Sequence, residues 1–342
     1  MPEPLVSAVV LNWNGGDLVF RCLESLRRQT HPRLEVVVVD NGSLDGSLQR
    51  LEKVKPPVRI LRNPTNLGFA VAANQGIAAA EGDWVLLANL DVELEPDYVE
   101  RLLEAARADA RIGSVTGKLL RAASRDPASP PVLDSAGHVV FRNSWAGNRG
   151  EGELDHGQFD RAEEVFGVTA AAALYSRRML AEVSDGQARP FDERFFAYIE
   201  DVDLDWRARW LGWKSWYVPV VAWHHRSATG ARRTVFILRH ILKNRLLLAA
   251  NNDLWPEGLL RLPEVVVFTA MVTIGFTLES GRAALGLVDF LRCWRGSGAR
   301  RRFLRRKRTV GGAEVGRWLQ PFPYLRKIRA RLFEGKARAA EG

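Results

Sequence analysis

The sequence has very little cysteine, and its start lacks the pattern of a secretory leader. Cys22 and Cys293 are its only two cysteines, with no CxxC motif and no Cys/His cluster. This excludes a disulfide-held scaffold and a structural zinc site, and it is compatible with a reducing compartment. The first residues contain no basic region followed by a long apolar core, so we expect no signal peptide.

Long uncharged runs are also scarce. The run from residue 265 to residue 278 is uncharged for 14 residues, which falls short of the ~20 apolar residues of a membrane-spanning helix.

The 342 residues allow about two domains. The hydrophobic content of 46% and the charged content of 26% are typical of a soluble globular protein.

The net charge of +9 is concentrated at the C-terminal end. Residues 292–342 contain 16 Lys and Arg against 3 Asp and Glu, including seven basic residues between Arg300 and Arg308. A basic tail indicates a nucleic acid or an anionic membrane as partner. Phe303, Trp318 and Tyr324 interleave with arginine, as in nucleic-acid binding, but apolar helices followed by a basic cluster favour the membrane.

The first third of the chain alternates between two hydrophobic patterns. Apolar runs predict strands at residues 5–11, 34–39, 58–61 and 84–88, and helical spacing predicts helices at residues 17–29, 46–54, 70–80 and 96–108. This alternation predicts an α/β fold, a mostly parallel sheet flanked by helices. Ligands bind such sheets beyond the carboxyl ends of the strands.

The middle of the chain is less regular. We expect loops at residues 122–131 and 143–160, the second of them mobile, because both are rich in turn-forming residues. The remaining predictions are strands at residues 165–175 and 214–218 and helices at residues 177–183 and 201–211.

Polar residues follow three of the predicted strands, at Asn12-Trp13-Asn14, Asp40-Asn41-Gly42-Ser43 and Asn89-Leu90-Asp91. Asp40 either accepts hydrogen bonds from a ribose or a base, or forms a turn and caps the next helix. Asp91 either holds Mg²⁺ or Mn²⁺ against a diphosphate, or belongs to a solvated loop. The residues alone leave both pairs of alternatives open.

Four carboxylates crowd residues 200–205, after an aromatic stretch. On a helix Asp201 and Asp205 share a face, while Asp203 points elsewhere. Crowding and burial raise the pKa of a carboxyl group, which suits a general base. His224-His225 follows an apolar strand, and at most one of these two side chains would ordinarily reach a given metal.

Several short motifs occur in the order of a known enzyme family. They are VVLNWN at 9–14, VVDNGSLDGS at 38–47, NPTNLGFA at 63–70 with Asn74, LANLD at 87–91, FDERFF at 191–196 with EDVDL at 200–204, WYVP at 216–219, and His224-His225. Through them the sequence resembles the family-2 glycosyltransferases of the GT-A fold, within their rhamnosyltransferase-like branch. The resemblance covers roughly residues 5–250.

The resemblance implies a role for each matching position. Asp201 would be the catalytic base, and Asp91 and His224 would bind Mg²⁺ or Mn²⁺. The residues implied at the nucleotide-sugar are Leu11, Asn12, Asn14, Asp40, Asn41, Ser43, Asn66, Gly68, Phe69, Asn74, Asn89 and Leu90. Those implied at the acceptor or in support are Glu200, Asp203, Tyr198, Ala171 and His225. Asn89 stands at the first position of the family's DxD motif, so we expect either a modest metal affinity or one ligand that acts through water.

The resemblance also implies an inverting, metal-dependent transfer from dTDP-rhamnose or a UDP-sugar to a glycan or lipid-linked acceptor in cell-surface polysaccharide synthesis. We expect a catalytic domain at residues 1–230, with its nucleotide half up to about residue 120 and an acceptor half after it. Amphipathic helices at 231–291 and a basic tail at 292–342 would follow. An anionic membrane surface at the cytoplasmic face of the plasma membrane is the expected location. A nucleic-acid-binding protein that uses the basic tail is the alternative.

Overall fold

The computed structural model of the chain describes residues 3–126, 128–184, 189–226, 234–254 and 256–324. The strands are β1 (Val6–Asn12), β2 (Leu34–Asp40), β3 (Arg59–Arg62), β4 (Trp84–Asn89), β5 (Val92–Leu94), β6 (Ile112–Arg121), β7 (Leu133–Ser135), β8 (His138–Phe141), β9 (Ala146–Asn148), β10 (Glu163–Val165), β11 (Ala172–Ser176), β12 (Lys214–His224) and β13 (Leu319–Gln320). The α-helices are α1 (Leu18–Arg27), α2 (Ser47–Leu51), α3 (Phe69–Ala79), α4 (Tyr98–Arg107), α5 (Arg177–Val183), α6 (Glu200–Trp210), α7 (Val235–Asn252), α8 (Glu257–Glu279), α9 (Leu285–Cys293), α10 (Ser297–Lys307) and α11 (Gly312–Gly316).

The main sheet has the order β10-β12-β6-β11-β4-β1-β2-β3, with β5 beside β12 and β7 beside β6. The strands β3, β2, β1 and β4 are parallel to one another, and β6 is parallel to β12. Because β11 is antiparallel to both β4 and β6, these two parallel sets run in the same direction. Their carboxyl ends therefore meet at one edge of the sheet, and the predicted fold class is confirmed.

Apolar cores lie on both faces of this sheet. Val9 and Leu87 point into one core, while their neighbours Val10 and Ala88 point into the other. Burial on both faces explains why these strands read as continuous apolar runs rather than as alternating patterns. The eight elements predicted in the first third all form, with ends within three residues of the predicted ones.

The ten-residue strand β6 was not among the predicted elements. Its sequence contains glycine, serine, threonine and lysine, although nine of its ten residues are buried. A Cβ on Gly117 would lie 2.4 Å from the ring of Tyr98, and one on Gly113 would lie 2.5 Å from the sulfur of Met179. These glycines are needed for close packing against neighbouring side chains, but in the sequence they look like turn residues.

Three predictions for the middle of the chain need correction. Residues 165–175 do not form one strand, because the chain leaves the sheet between β10 and β11. A Cβ on Gly167 would lie 1.9 Å from the carboxylate of Asp205, which also accepts a hydrogen bond from the backbone of Val168. The predicted loop 143–160 contains β9, which pairs with β8, and the strand predicted at 214–218 continues to residue 224.

The C-terminal helices pack against the aromatic stretch that precedes α6. On α7, Lys243 donates a hydrogen bond to the carbonyl of Arg194, and Asn251 donates to the carboxylate of Asp192. Helix α8 has 23 residues and is, by length and composition alone, the one described helix that could cross a membrane. The predicted boundaries at residues 230 and 291 stay predictions, and residues 325–342 of the basic tail lie outside the described residues.

Candidate active site

A cavity of about 690 Å³ lies where the carboxyl ends of β1, β4 and β12 meet. In α/β sheets this edge is where ligands bind. The predicted site residues that line it are Leu11, Asn12, Asn41, Asn66, Gly68, Phe69, Asn89, Leu90, Asp91, Ala171, Tyr198, Glu200, Asp201 and His224. The fold thus gathers at one cavity residues that are far apart in the chain.

Asp40, at the end of β2, is fully buried behind this cavity. Its Oδ1 accepts a hydrogen bond of 2.7 Å from Asn12 Nδ2, and its Oδ2 accepts one of 3.1 Å from the backbone N–H of Ser43. The second bond forms a turn that is common after aspartate. Asp40 does not cap the next helix, α2, because the carboxylate that accepts a hydrogen bond from the backbone N–H of Ser47 there is that of Asp45. Asp40 therefore holds Asn12 in place at the wall of the cavity.

Asn41 ties the turn after β2 to the loop before α3. Its Nδ2 donates to Oδ1 of Asn66 at 2.9 Å and to the carbonyl of Gly68 at 3.2 Å. Gly68 has a φ of 88°, and a Cβ there would lie 2.6 Å from the ring of Phe196. Both the backbone angle and the close contact require glycine. The loop before α3 can therefore close directly against the aromatic stretch.

A second polar cluster lies at the end of β12. The ring of His224 has its Nε2 3.3 Å from Oδ1 of Asp91 and its Nδ1 2.7 Å from Oδ2 of Asp134. All three residues line the cavity. Burial alone would lower the pKa of His224, but the hydrogen bonds to the two carboxylates raise it to about 9. The cluster therefore brings a carboxylate oxygen and an imidazole nitrogen together at the cavity wall.

The acidic helix α6 forms another part of the cavity wall, through Glu200 and Asp201. His138 lies between two of its carboxylates, with Nδ1 2.8 Å from Oδ2 of Asp205 and Nε2 3.5 Å from Oδ2 of Asp201. The prediction that Asp201 and Asp205 share a face is confirmed. Asp203 points away from them and forms a fully buried ion pair of 2.9 Å with Arg207.

The surroundings of Glu200 and Asp201 shift the pKa values of these two neighbouring acids in opposite directions. Burial and the charge of Asp201 raise the pKa of Glu200 to about 8. Burial would also raise the pKa of Asp201, but the charge and hydrogen bond of His138 and the backbone N–H of Ala170 hold it below its ordinary value. The sequence predicts a raised pKa for the base, whereas the structure raises that of its neighbour. At neutral pH Asp201 is ionised and Glu200 carries a proton.

The backbone that leads into α6 is strained. Phe196, Tyr198 and Ile199 have φ angles of 69°, 74° and 58°, a region that costs on the order of 1 kcal/mol or more for a residue with a Cβ. Asn244 of α7 stabilises this bend, because its Nδ2 donates to three carbonyls of residues 195–198 at 2.7–3.1 Å. Helix α7 therefore supports the cavity wall that carries Glu200 and Asp201.

Comparison with known proteins assigns this arrangement to a family. The family model described as "Glycosyl transferase family 2" matches residues 7–184, more than half of the chain. The chain belongs to glycosyltransferase family 2. The enzyme class inferred from the motifs is thereby confirmed.

Relatives of this glycosyltransferase agree with the assignment. It is 32% identical over 275 residues to the N-acetylglucosaminyl-diphospho-decaprenol L-rhamnosyltransferase of Mycobacterium tuberculosis, an alignment that covers 75% of this chain and 88% of the relative. This supports the predicted rhamnosyltransferase-like branch. A shorter match, 31% identical over 36% of the chain and 51% of the relative, is to the putative teichuronic acid biosynthesis glycosyltransferase TuaG of Bacillus subtilis.

Two solved structures share the GT-A fold with this glycosyltransferase. GalNAc-T7 with UDP, GalNAc and Mn²⁺ has a TM-score of 0.58 at 15% identity, covering 75% of this chain and 49% of that one. TarS of S. aureus has a TM-score of 0.52 at 19% identity, covering 89% of this chain and 53% of that one. At these identities the likeness establishes the fold alone.

Six predicted site residues of this glycosyltransferase do not line the cavity. They are Asn14, Asp40, Ser43, Asn74, Asp203 and His225. Asn14 accepts a hydrogen bond from the backbone of Leu44, and Ser43 accepts one from the backbone of Asn14. Asn14 and Ser43 thus belong to the turns that follow β1 and β2, beside the cavity.

The last three of the six are engaged deeper in the fold. Asn74 bonds to both the N–H and the carbonyl of Phe191. Asp203, besides its ion pair, accepts hydrogen bonds from Asn251 and Asn252 of α7. His225 points to Glu93, with Nε2 2.7 Å from Oε1. Supporting contacts of this kind depend on the tertiary structure, which the motifs do not reveal.

The sequence motifs do not include Asp134 and His138, which pair with the predicted His224 and Asp201. They lie in β7 and β8, a region for which no strand was predicted. A usable signal was present, because an acid and a histidine four residues apart interrupt the apolar segment 132–141. Polar residues in such a setting are rarely buried unless they are paired.

Proposed function

We propose that this glycosyltransferase transfers a sugar from a nucleotide-sugar to a hydroxyl group of a lipid-linked glycan in cell-surface polysaccharide synthesis, with inversion at the anomeric carbon. The proposed donor is dTDP-rhamnose, with a UDP-sugar as second choice. Supporting this substrate class is the similarity to the mycobacterial L-rhamnosyltransferase over 75% of the chain. The observation that carries the chemistry is Asp201, ionised beside His138 at the wall of the cavity.

The proposed reaction is a single displacement. The acceptor hydroxyl approaches the anomeric carbon from the face opposite the nucleotide. A bond forms between the acceptor oxygen and that carbon, while the bond from the carbon to the diphosphate oxygen breaks. The nucleoside diphosphate leaves with the electron pair, and the hydroxyl proton passes to the carboxylate of Asp201, which acts as a general base.

Asp201 is better suited to this role than Glu200, although both line the cavity. A general base must be ionised before it can accept a proton. The raised pKa of Glu200, about 8, leaves this side chain protonated at neutral pH, whereas the pKa of Asp201 lies below its ordinary value. Glu200 is therefore assigned to the acceptor side as a neutral group.

We infer that Asp91 and His224 hold Mg²⁺ or Mn²⁺ against the donor diphosphate. Nε2 of His224 and Oδ1 of Asp91 lie 3.3 Å apart, and the hydrogen bond of Nδ1 to Asp134 keeps Nε2 directed at Asp91. A bound cation would take the place of the proton on Nε2. Among the described residues no group of three or more His, Cys, Asp or Glu is arranged to hold a metal. Two protein ligands fit a cation such as Mg²⁺, which takes its other ligands from phosphate and water. A bound cation would offset the negative charge of the leaving diphosphate.

We also propose a cytoplasmic location, peripheral to the inner face of the plasma membrane. The support is the juxtaposition of the apolar helix α8 with the basic helix α10, which ends in Arg305, Arg306 and Lys307. Basic clusters beside apolar helices are attracted to anionic leaflets. This arrangement would bring the cavity to a lipid-linked acceptor.

The transfer itself can be tested with purified protein. The assay would offer dTDP-, UDP- and GDP-linked sugars with Mg²⁺ or Mn²⁺ and an N-acetylglucosaminyl-diphospho-polyprenol, and would measure acceptor-dependent release of nucleoside diphosphate. We expect one donor to support release, dTDP-rhamnose first, with a mass gain on the acceptor that matches the sugar. For a variant of the proposed base, Asp201→Asn, the exposed Asp126 provides the matched control Asp126→Asn, which should behave as wild type.

Two results would contradict the proposal. Absence of transfer from every donor by folded protein would refute the substrate class. A product with the anomeric configuration of the donor would refute the single displacement while leaving the substrate class intact.

A further inference from the structure

A second cavity of about 760 Å³ lies among the C-terminal helices, away from the site described above. We call it the helical groove. Apolar side chains from α7, α8 and α9 form most of its lining, including Leu246, Leu262, Val266, Ile274, Leu287 and Phe290. Arg301 and Arg305 of α10 also line it. The groove is therefore mostly apolar, with the guanidinium groups of α10 as part of its lining.

Helix α8 presents three different faces. A helix turns by about 100° per residue, which places Val265, Phe268 and Phe276 together on the buried side. The residues that line the helical groove, Leu262, Val266 and Ile274 among them, form the next face. The third face, Leu260, Val267, Met271 and Leu278, points outward and is 51–84% exposed. An exposed apolar surface of this kind marks an interaction site, and here it borders the groove.

The charge of the helical groove is positive. One acid, Asp253, lines it, and this carboxylate is paired with Arg261 of α8. Arg305 is exposed and Arg301 is half-buried, and both belong to the nine-residue stretch with seven basic residues. An occupant that matches these features has a long apolar chain and an anionic phosphate at one end.

We propose that the helical groove binds one acyl chain of an anionic phospholipid, with the phosphate at Arg301 and Arg305. The outward apolar face of α8 would then rest among the neighbouring chains of the same leaflet. Charge complementarity and the apolar lining carry this assignment. It deepens the proposed membrane location and does not depend on the transfer reaction.

The lipid chain of the acceptor is a less suitable occupant. Phe236, near the start of α7, lines the active-site cavity, while Ala249 and Ala250, near its end, line the helical groove. These positions are separated by about 20 Å along the helix, at 1.5 Å per residue. In a lipid-linked sugar the diphosphate directly follows the sugar ring, so its charge belongs near the active-site cavity. The arginines of the groove lie at the opposite end of α7, beside Asp253.

Lipid binding can be measured without any donor or acceptor. Full-length protein would be mixed with vesicles of phosphatidylglycerol and phosphatidylcholine, and retained lipid would be counted by native mass spectrometry. Ala270→Trp fills the groove, and Val267→Trp adds the same side chain on the outward face as its control. Arg301→Ala/Arg305→Ala removes the groove arginines, and Arg302→Ala/Arg306→Ala removes the same charge from other exposed positions of α10.

We expect wild-type protein and the Val267→Trp control to retain one phosphatidylglycerol per chain, and Ala270→Trp to retain none. Both arginine variants lose the same net charge, but only the groove arginines would hydrogen-bond the phosphate, so the groove-arginine variant should bind phosphatidylglycerol vesicles roughly tenfold more weakly than the Arg302→Ala/Arg306→Ala control. Equal lipid retention by the two tryptophan variants would overturn the proposal. So would equal affinities of the two arginine variants, or a dimer in solution that Ala270→Trp dissociates. Absence of transfer by wild-type protein that still retains the lipid would refute the proposed function and leave the groove assignment standing.

Discussion

Replacing His138 by glutamine tests how the charge of this histidine affects the carboxylates of α6 at the cavity wall. His138 is buried between Asp201 and Asp205, with its side chain 4% exposed. Glutamine is of similar size and can still donate a hydrogen bond to Asp205, but it carries no charge. The variant therefore removes the positive charge between two buried carboxylates and changes the packing little.

The expected loss of stability follows from the pKa of His138. Burial would lower this pKa, but the charges and hydrogen bonds of the two carboxylates raise it from 6.5 to about 10, which corresponds to about 4 kcal/mol of stabilisation at pH 7. Breaking a buried ion pair from one side costs a similar amount, about 3–5 kcal/mol. Because the folded-state pKa is raised, this stabilisation is complete below pH 6.5 and is lost as the pH rises toward 10. We expect His138→Gln to lower the free energy of unfolding by roughly 3 kcal/mol at pH 7, and by less at alkaline pH.

The same substitution should move the pH dependence of catalysis. Without the cation, burial and the charge of Asp205 dominate at Asp201, so the pKa of the base rises. We expect the acidic limb of kcat/KM to move up by about one to two pH units, while kcat at pH 7, where Asp201 stays ionised in both proteins, changes by less than about tenfold. Rate profiles from about pH 4 to 9 and urea unfolding would measure both effects.

The exposed His156 supplies the control variant, His156→Gln. It removes a histidine of the same region without touching the carboxylates, and it should match wild type in both measurements. An acidic limb and a stability for His138→Gln equal to those of this control would refute the electrostatic reasoning.

Three further substitutions separate binding, folding and backbone effects. Asp91→Ala should weaken the binding of Mn²⁺ with nucleoside diphosphate at least tenfold by calorimetry, and unchanged binding would remove it from the metal site. Asp203→Ala leaves the charge of the buried Arg207 without its carboxylate partner, so the free energy of unfolding measured in urea should fall by about 3–5 kcal/mol. A fall under ~1 kcal/mol would show that this ion pair does not stabilise the fold as we expect. Gly68→Ala places a Cβ 2.6 Å from the ring of Phe196 at a φ of 88°. Because Gly68 lines the cavity, the KM for the donor should rise several-fold. An unchanged KM would argue against tight packing of the loop before α3 on Phe196.

The parallel half of the fold could be predicted because its signals are local. Strands buried on both faces are apolar throughout, and α1 and α4 show clear helical spacing. The strands β6, β7 and β8 could not be read in this way. Their glycines and polar residues are explained by partners elsewhere in the chain, such as Tyr98 against Gly117.

The candidate site was predictable where short motifs follow strands, as at Asn12 and Asp91. Its pairings were not, because they join residues far apart in the chain. His138 and Asp205 are 67 residues apart, and Asp134 and His224 are 90 apart. The ionisation of Asp201 depends on the charge and hydrogen bond of the same His138, so a pattern of acids could name the proposed base but not the direction of its pKa shift.

The central claim is that Asp201 is the general base of a sugar transfer from a nucleotide donor. The most direct measurement compares donor affinity with the rate of transfer to a lipid-linked acceptor for wild type and Asp201→Asn. The account predicts a donor Kd within about threefold of wild type and a transfer rate lower by about 10²–10⁴-fold. A transfer rate within tenfold of wild type at full donor occupancy would contradict it.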